Sequence, residues 1–419
     1  MDLRPLARLL LRLLVRGLPA RLFVLPALLR NERSATALEA YVARRARAVG
    51  VQVARDPTRL RALPPGAALL DKPALRADPG RHLRPRRFGS LLRNTIRTSG
   101  TSGSPLTLVQ SLGAVIREEA FVQRQLHWIG WRPGQRRAWI RGDIVAVAPY
   151  FRRDPIGKML VMSSYHLSDA TIGAYVAALE AYDPVVIHAY PSSIGAIANW
   201  LHAAGRRYAG RALRGVMTSS ETLEPDVRAT VERGFGAPVF DWYGQAERVA
   251  AIGTCEQGRY HLLTDYGGVE LLPLADGSCE LVGTSLNNAA MPLARYRTGD
   301  TVLVGSRAPC PCGRVFPTLD AVIGRQERSV TLPDGRLVAR LDRVFQGLDG
   351  RLLEGQVRYH GHGRFTLRVL ATAAFGVQDE TALCERFRLR VPGATVAVER
   401  VAAIARGANG KFEFIAVEE

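Results

Sequence analysis

Residues Arg97–Leu108 read R-T-S-G-T-S-G-S-P-L-T-L, and eight of these twelve are Gly, Ser or Thr. Glycines let the backbone turn so that several N–H groups face one anion, and the hydroxyls of Thr98, Ser99, Thr101, Ser102 and Ser104 add donors. A polyphosphate suits such a surface. The G-x-x-x-x-G-K-[ST] pattern with its lysine is missing, so this is not a Walker loop. The same letters also describe a flexible Ser/Gly linker. What surrounds them decides between the two.

Upstream, residues 34–93 read as helical, broken by the proline-rich Leu63–Pro65 and Pro79–Pro85, with Lys72-Pro73 introducing a short apolar segment. Downstream, Val115, Ala120, Val122 and Leu126 are spaced for a helix over Ser111–Ile129. A strand at Arg136–Val147, an aromatic and charged loop at Tyr150–Asp154 and a helix at Thr171–Tyr182 follow. The strand Pro184–His188, the helix Ile194–Ala204 and the strand Gly215–Thr218 come next. Strands alternating with helices predict α/β layers and a largely parallel sheet. From Gly267 to Gly283 the chain alternates around Asp276-Gly277, which predicts a β-hairpin. Beyond Gly324 comes a hairpin around Asp334-Gly335, then helix, strands, helix and a last strand. The expected fold is therefore α/β. A large N-terminal lobe over residues 1–323 has several subdomains, with mixed sheets flanked by helices. A small mobile α+β lobe covers residues 324–419.

The formal net charge is +19, from 57 Lys and Arg against 38 Asp and Glu. Such a balance attracts anions in general. The arginines are scattered rather than gathered with aromatics, and no nucleic-acid motif is present, so nucleic acid is not an expected partner. Five cysteines do not make a disulfide framework and fit a reducing, cytoplasmic setting. Cys279 and Cys384 read as ordinary buried thiols. Within Met1–Arg30, Arg4, Arg8, Arg12 and Arg16 recur every four residues beside leucine-rich patches, which gives a helix with a basic stripe and a broad apolar face. A helix docked on its own domain is the favoured reading, and peripheral contact with a membrane surface is the other. No apolar run approaches the ~20 residues of a transmembrane span, and no uninterrupted signal-peptide core is present.

Further motifs follow in order: Ser219-Ser220-Glu221-Thr222-Leu223, Trp242-Tyr243-Gly244-Gln245-Ala246-Glu247, Arg295-Tyr296-Arg297-Thr298-Gly299-Asp300, Gly324-Arg325-Gln326-Glu327-Arg328 and Asn409-Gly410-Lys411. With the loop, this set resembles the adenylate-forming superfamily of acyl-CoA synthetases and adenylation domains, in its short phenylacetate–CoA ligase-like branch. The resemblance runs from about Leu70 to the C-terminus.

The resemblance implies that a carboxylate attacks the α-phosphate of ATP. Bringing an anion to a polyanion calls for phosphate donors, a divalent cation and a late-arriving positive charge. The loop residues Thr98, Ser99, Gly100, Thr101, Ser102 and Gly103 would meet the β- and γ-phosphates, and Glu247 would hold Mg²⁺. Tyr243, beside Gly244, would stack on adenine, with Ser220 and Glu221 alongside. Glu221 could equally cap the helix that begins near Leu223–Asp226. Asp300 would accept from the ribose hydroxyls, and Arg325 would reach the ribose or phosphate side. Glu327 sits where the family has an acidic hinge residue. Lys411 would swing against the α-phosphate as the catalytic lysine. The acid pocket is expected among His188, Tyr190, Met217, Phe240 and Trp242, an aromatic wall suited to an aryl acid.

Cys255, His261, Cys310 and Cys312 form a separate set. Three thiols and one imidazole make a complete tetrahedral shell for structural Zn²⁺, although C-x-C is tighter than the usual C-x₂-C. The implied function is ATP-dependent activation of an acid, aromatic by the pocket, to an acyl-adenylate, followed by transfer to coenzyme A. Gln245-Ala246 and Gln326-Glu327-Arg328 depart from the usual family residues and leave the acceptor open. An amide- or ester-forming ligase or an adenylyltransferase is the rival within catalysis, as in deazaflavin-cofactor adenylylating and capsule-cluster relatives. A non-catalytic nucleotide-binding or membrane-peripheral protein is the rival outside it. A homodimer is a family expectation.

Overall fold

The computed structural model describes residues 13–85, 92–97, 106–142, 148–154, 156–305, 308–325, 330–332, 337–338, 341–345, 348, 351–406 and 412–417. These fall into two compact units, one of Met1–Arg132 with Phe240–Gly324 and one of Pro133–Val239 with Arg325–Glu419. The division differs from a cut at residue 324 alone, because Pro133–Val239 groups with the C-terminal chain. The physical reason lies in one apolar core. Leu353, Leu370 and Ile404 are buried with Ile194, Ile197 and Leu201 of the helix Pro191–Ala203.

The first unit begins with a helical run through residues 13–31. The helix Ala35–Val49 follows, started by Ser34, whose hydroxyl accepts from the Ala37 N–H, and stopped at left-handed Gly50. Residues 51–71 are not helical, contrary to the pattern's expectation. Their backbone bridges to the second sheet instead, Ala62 beside Leu271 and Leu70 beside Tyr296. Among the described residues, Lys72–Ala77 returns to α-helix, capped by Asp71, and Gly80–His82 forms a 3₁₀ turn. The strands Arg93–Arg97 and Thr107–Ser111 pair antiparallel, Arg97 opposite Thr107. The helix Leu112–Trp128 then starts from the Ser111 cap. Strands Thr318–Leu319, Tyr260–Leu262, Ala251–Thr254 and Val239–Gly244 lie side by side in that order, all antiparallel. A second, four-stranded sheet contains the expected hairpin, Gly267–Pro273 against Cys279–Ser285, followed by Tyr296–Leu303 and Ala321–Arg325.

The second unit carries the parallel sheet. Its strand order is Gly215–Ser219, Val186–Ala189, Arg137–Arg141, Met159–Ser163 and Phe151–Asp154, with only the last antiparallel. The helix Asp169–Tyr182 opens with a Ser168/Thr171 capping box. Proline at the first turn opens both Pro191–Ala203 and Pro225–Phe235. The C-terminal part pairs Val330–Thr331 with Leu337–Val338. Among the described residues, the short 3₁₀ turn Leu341–Phe345 stands where a helix was expected. A four-stranded sheet, Thr395–Arg400, Arg364–Ala371, Leu352–Tyr359 and Ile415–Val417, packs with the helix Val377–Arg390. No helix among the described residues is long and apolar enough to cross a membrane.

Candidate functional site

In an open parallel sheet, ligands meet the carboxyl ends of strands where the strand order reverses. In the second unit the chain runs from Arg137–Arg141 outward to Met159–Ser163, then returns past it to Val186–Ala189. The reversal therefore lies between the strand ending at Arg141 and the strand carrying His188. The side chains at those ends converge. Arg141 Nη1 donates to Ser219 Oγ at 2.9 Å and Nη2 to Ser220 Oγ at 2.6 Å. His188 Nε2 lies 3.2 Å from Arg141 Nη1 and 3.0 Å from Ser219 Oγ. The guanidinium also lies over the Tyr190 ring at 4.7 Å and the Trp139 ring at 4.9 Å.

A guanidinium only donates, so His188 Nε2 accepts and its proton sits on Nδ1. Burial, then the Arg141 and Arg137 charges, hold this imidazole well below its ordinary pKa, hence neutral. Ser220 holds a left-handed backbone, φ 72°, which a serine adopts only when its surroundings impose it. That turn aims Ser220 Oγ at Arg141. Arg141 was not among the residues singled out from sequence, since a chain with 57 basic residues gives no reason to pick one.

Glu221 is neither left in solvent nor used on the helix that follows it, whose N-cap is Glu224. Its Oε2 accepts from the Ser192 N–H at 3.0 Å, in the first turn of Pro191–Ala203, and its Oε1 from the Phe412 N–H at 2.8 Å. The expected capping role thus falls on the preceding helix. Beside it, Arg406 pairs with the buried Glu354. Glu221, Ser192, Glu354 and Phe412 line a cavity of about 200 Å³.

In the first unit, Tyr243 and Asp300 are 57 positions apart in sequence, yet the Tyr243 hydroxyl donates to Asp300 Oδ2 at 2.7 Å. Left-handed Gly299, φ 71°, makes the turn that presents Asp300, a geometry a side chain at that position would strain. Glu247 is buried and accepts from the Tyr296 hydroxyl at 3.0 Å. Gly244 closes the strand Val239–Gly244.

Phe240 and Trp242 are buried on one face of that strand, while Asp241 and Tyr243 point to the other. His188, Tyr190 and Met217, the other expected pocket residues, are buried in the second unit. Thr98, Ser99, Gly100, Thr101, Ser102, Gly103, Glu327 and Lys411 lie outside the described residues, as does the Arg325 side chain. Arg325 ends the strand Ala321–Arg325.

Cys255, His261, Cys310 and Cys312 are all buried, and their ligand atoms lie within 4.8 Å of one another. The Cys255 and Cys310 sulfurs are 3.7 Å apart, and Cys312 Sγ is 3.4 Å from His261 Nε2. A tetrahedron with metal–sulfur bonds of about 2.3 Å has sulfur–sulfur edges of about 3.8 Å, so the donor set fits zinc. His261 Nδ1 faces the Phe316 carbonyl at 3.4 Å, the usual partner of a ligating imidazole. Burial pushes the Cys255 thiol up to about 12 and the His261 imidazole down to about 4. Burial opposes ionisation of Cys312 too, but backbone and Arg314 hydrogen bonds outweigh it and lower that thiol. Cys279 and Cys384 are only half-buried, a correction to the sequence reading.

The same cluster anchors the N-terminal segment. Arg33 donates to the Cys312 carbonyl at 2.6 Å. Trp128 Nε1 donates to Glu32 at 2.8 Å, and Asn31 donates to Asp265 at 3.2 Å. Asp265 is itself held by Arg124 in a fully buried pair at 2.7 Å.

No protein-family model matches the chain. Protein CapK of Staphylococcus aureus is 22% identical over 233 residues, 54% of this chain and 52% of that protein. The phenylacetate–coenzyme A ligase of Thermus thermophilus is 25% identical over 244 residues, 55% of this chain and 54% of the ligase. Among solved structures, 2-hydroxyisobutyryl-CoA ligase in its postadenylation state shares the fold with TM-score 0.63, covering 94% of this chain and 88% of that one at 18% identity. In sequence the chain is similar to CapK and the phenylacetate–coenzyme A ligase over about half its length, and in fold to the 2-hydroxyisobutyryl-CoA ligase. The mixed α/β architecture with helix-flanked sheets is shared with that ligase structure. The chain spans about half the length of the curated relatives it matches.

Proposed function

We propose that this protein activates a carboxylic acid with ATP, releasing pyrophosphate and forming an acyl-adenylate, and passes the acyl group to coenzyme A. The observation that carries this reading is the 2.7 Å hydrogen bond joining Tyr243 to Asp300. Two residues assigned by motif to the two halves of adenosine sit side by side although the sequence separates them by 57 positions. Tyr243 offers its ring to the base, and Asp300 a carboxylate to the ribose. Glu247, fixed by Tyr296, supplies a hard oxygen ligand for Mg²⁺.

Arg141, held between Ser219, Ser220 and His188, offers a planar cation to the incoming carboxylate or to the phosphate it attacks. An aryl acid suits the aromatic lining of Tyr190 and Trp139 around it. Lys411 supplies the late positive charge when the chain beyond Gly324 turns about the segment containing Glu327. The cysteines and His261 hold a structural zinc, whose full shell leaves no open position for catalysis.

The test is acid-dependent ATP–pyrophosphate exchange across aryl and fatty acids, with Lys411→Ala alongside. Exchange with one acid class that falls about a hundredfold or more in the variant supports the reading. Tight ATP binding with no exchange for any acid overturns it in favour of a nucleotide-binding protein without turnover. Release of AMP that depends on coenzyme A, rather than on an amine or hydroxyl, identifies the acceptor.

A further inference from the structure

The helical run that opens the described chain is covered on one side and bare on the other. Ala20, Leu25 and Leu28 are buried, and the run packs on the helix Leu112–Trp128. Leu14, Leu18 and Leu22 are 63, 47 and 55% exposed, and Phe23 is 79% exposed. Residues four apart share a helix face, so the three leucines form one ridge, with Val15 and Phe23 beside it. Five of the thirteen large exposed apolar side chains among the described residues fall within these ten positions. An exposed apolar patch this concentrated marks a contact surface.

Charge selects the partner. Residues 3–31 contain Arg4, Arg8, Arg12, Arg16, Arg21 and Arg30 and no Asp or Glu. Arg21, Arg30 and Arg33 are exposed, whereas the first acid after the run, Glu32, is buried and held by Trp128 and Arg314. A second copy of the chain would bring the same arginines to the contact and be repelled. A bilayer with anionic headgroups offers both an apolar interior for the ridge and phosphates for the guanidiniums. Among the described residues, no helix of the run is long and apolar enough to cross such a bilayer.

We propose that this face docks in the plane of an anionic lipid surface. Leu14, Leu18, Leu22 and Phe23 enter the headgroup–acyl boundary and the flanking arginines pair with headgroup phosphates. The opposite face stays on the protein, so the helix does not have to detach in order to bind. This proposal does not depend on acid activation, and pyrophosphate exchange does not enter its readout.

The test is flotation of the full-length chain with vesicles of phosphatidylcholine alone and of phosphatidylcholine mixed with phosphatidylglycerol. Binding is expected to the anionic vesicles and to weaken with added salt. The double substitution Leu22→Ser with Phe23→Ser lowers that binding about tenfold or more, and Arg21→Glu lowers it as well. Both variants change only exposed side chains, so an unchanged melting temperature accompanies the loss. Failure to float with anionic vesicles overturns the proposal. So does undiminished flotation of the double variant, or a solution dimer that the same substitutions dissociate without any vesicle binding.

Discussion

At the scale of single residues, the roles proposed for Arg141 and Glu221 divide binding from positioning. Replacing Arg141 with Met removes three polar contacts and a cation but leaves a stem of similar length. The KM for the acid is expected to rise about 10- to 100-fold, with a smaller change in kcat, in steady-state assays. Glu221→Gln has the opposite signature. Its carboxylate ties the Phe412 N–H to the first turn of Pro191–Ala203, one residue after Lys411. Weakening that tie lowers kcat about tenfold and leaves the KM for ATP nearly unchanged. A dominant rise in the KM for ATP would instead put Glu221 against the nucleotide.

His188 gives a pH signature. Its folded pKa is depressed, so the unfolded chain binds its proton first as the pH falls. Stability from this group is present above about pH 6.5, the ordinary histidine value, and is lost below it. Each pH unit in that window removes at most about 1.4 kcal/mol. Thermal melts from pH 7 downward should therefore fall more steeply for the native chain than for His188→Gln.

At the scale of elements, some local signals were legible and others misled, the expected loop at Tyr150–Asp154 being the strand Phe151–Asp154. Asp276-Gly277 between alternating residues is a hairpin signal, and the hairpin formed there, Gly267–Pro273 against Cys279–Ser285. The cysteine and histidine set was legible because metal chemistry needs only residue types, and the fold brings all four together. Residues 51–71 were not legible. Their extended path is set by pairing with Leu271 and Tyr296, more than two hundred positions away. Arg141 was hidden for a related reason, since its role comes from three strand ends meeting. If the four-residue set holds zinc, the purified protein carries the metal stoichiometrically. Cys312→Ser or a strong chelator then lowers stability by more than about 3 kcal/mol, read as a fall in denaturant midpoint together with loss of zinc from elemental analysis.

At the scale of the whole molecule, the second unit sets the terms for any movement of the C-terminal chain. Leu353 and Ile404 are buried in the same core as Ile194 and Leu201, and Asn199 donates to the Leu353 carbonyl at 3.3 Å. A lid that swings must release these contacts, the Glu221 tie and the Arg406–Glu354 pair together. Leu353→Ala leaves a cavity in that shared core and is expected to destabilise the unit by about 2–5 kcal/mol in denaturant melts. A loss below about 1 kcal/mol would show that the core tolerates separation there.

The anchoring of residues 31–33 carries a consequence for how the chain is made. Asn31 waits for Asp265, 234 positions later, and Arg33 for Cys312, 279 positions later. At about 5–20 residues per second, the ribosome supplies those partners roughly 10–60 s after the segment emerges. Leu25 and Leu28 lie in the run that packs on the helix Leu112–Trp128, which is made much sooner, so the apolar contact can precede these polar anchors. The polar anchors of this segment therefore close last, after its apolar face has already found the helix Leu112–Trp128.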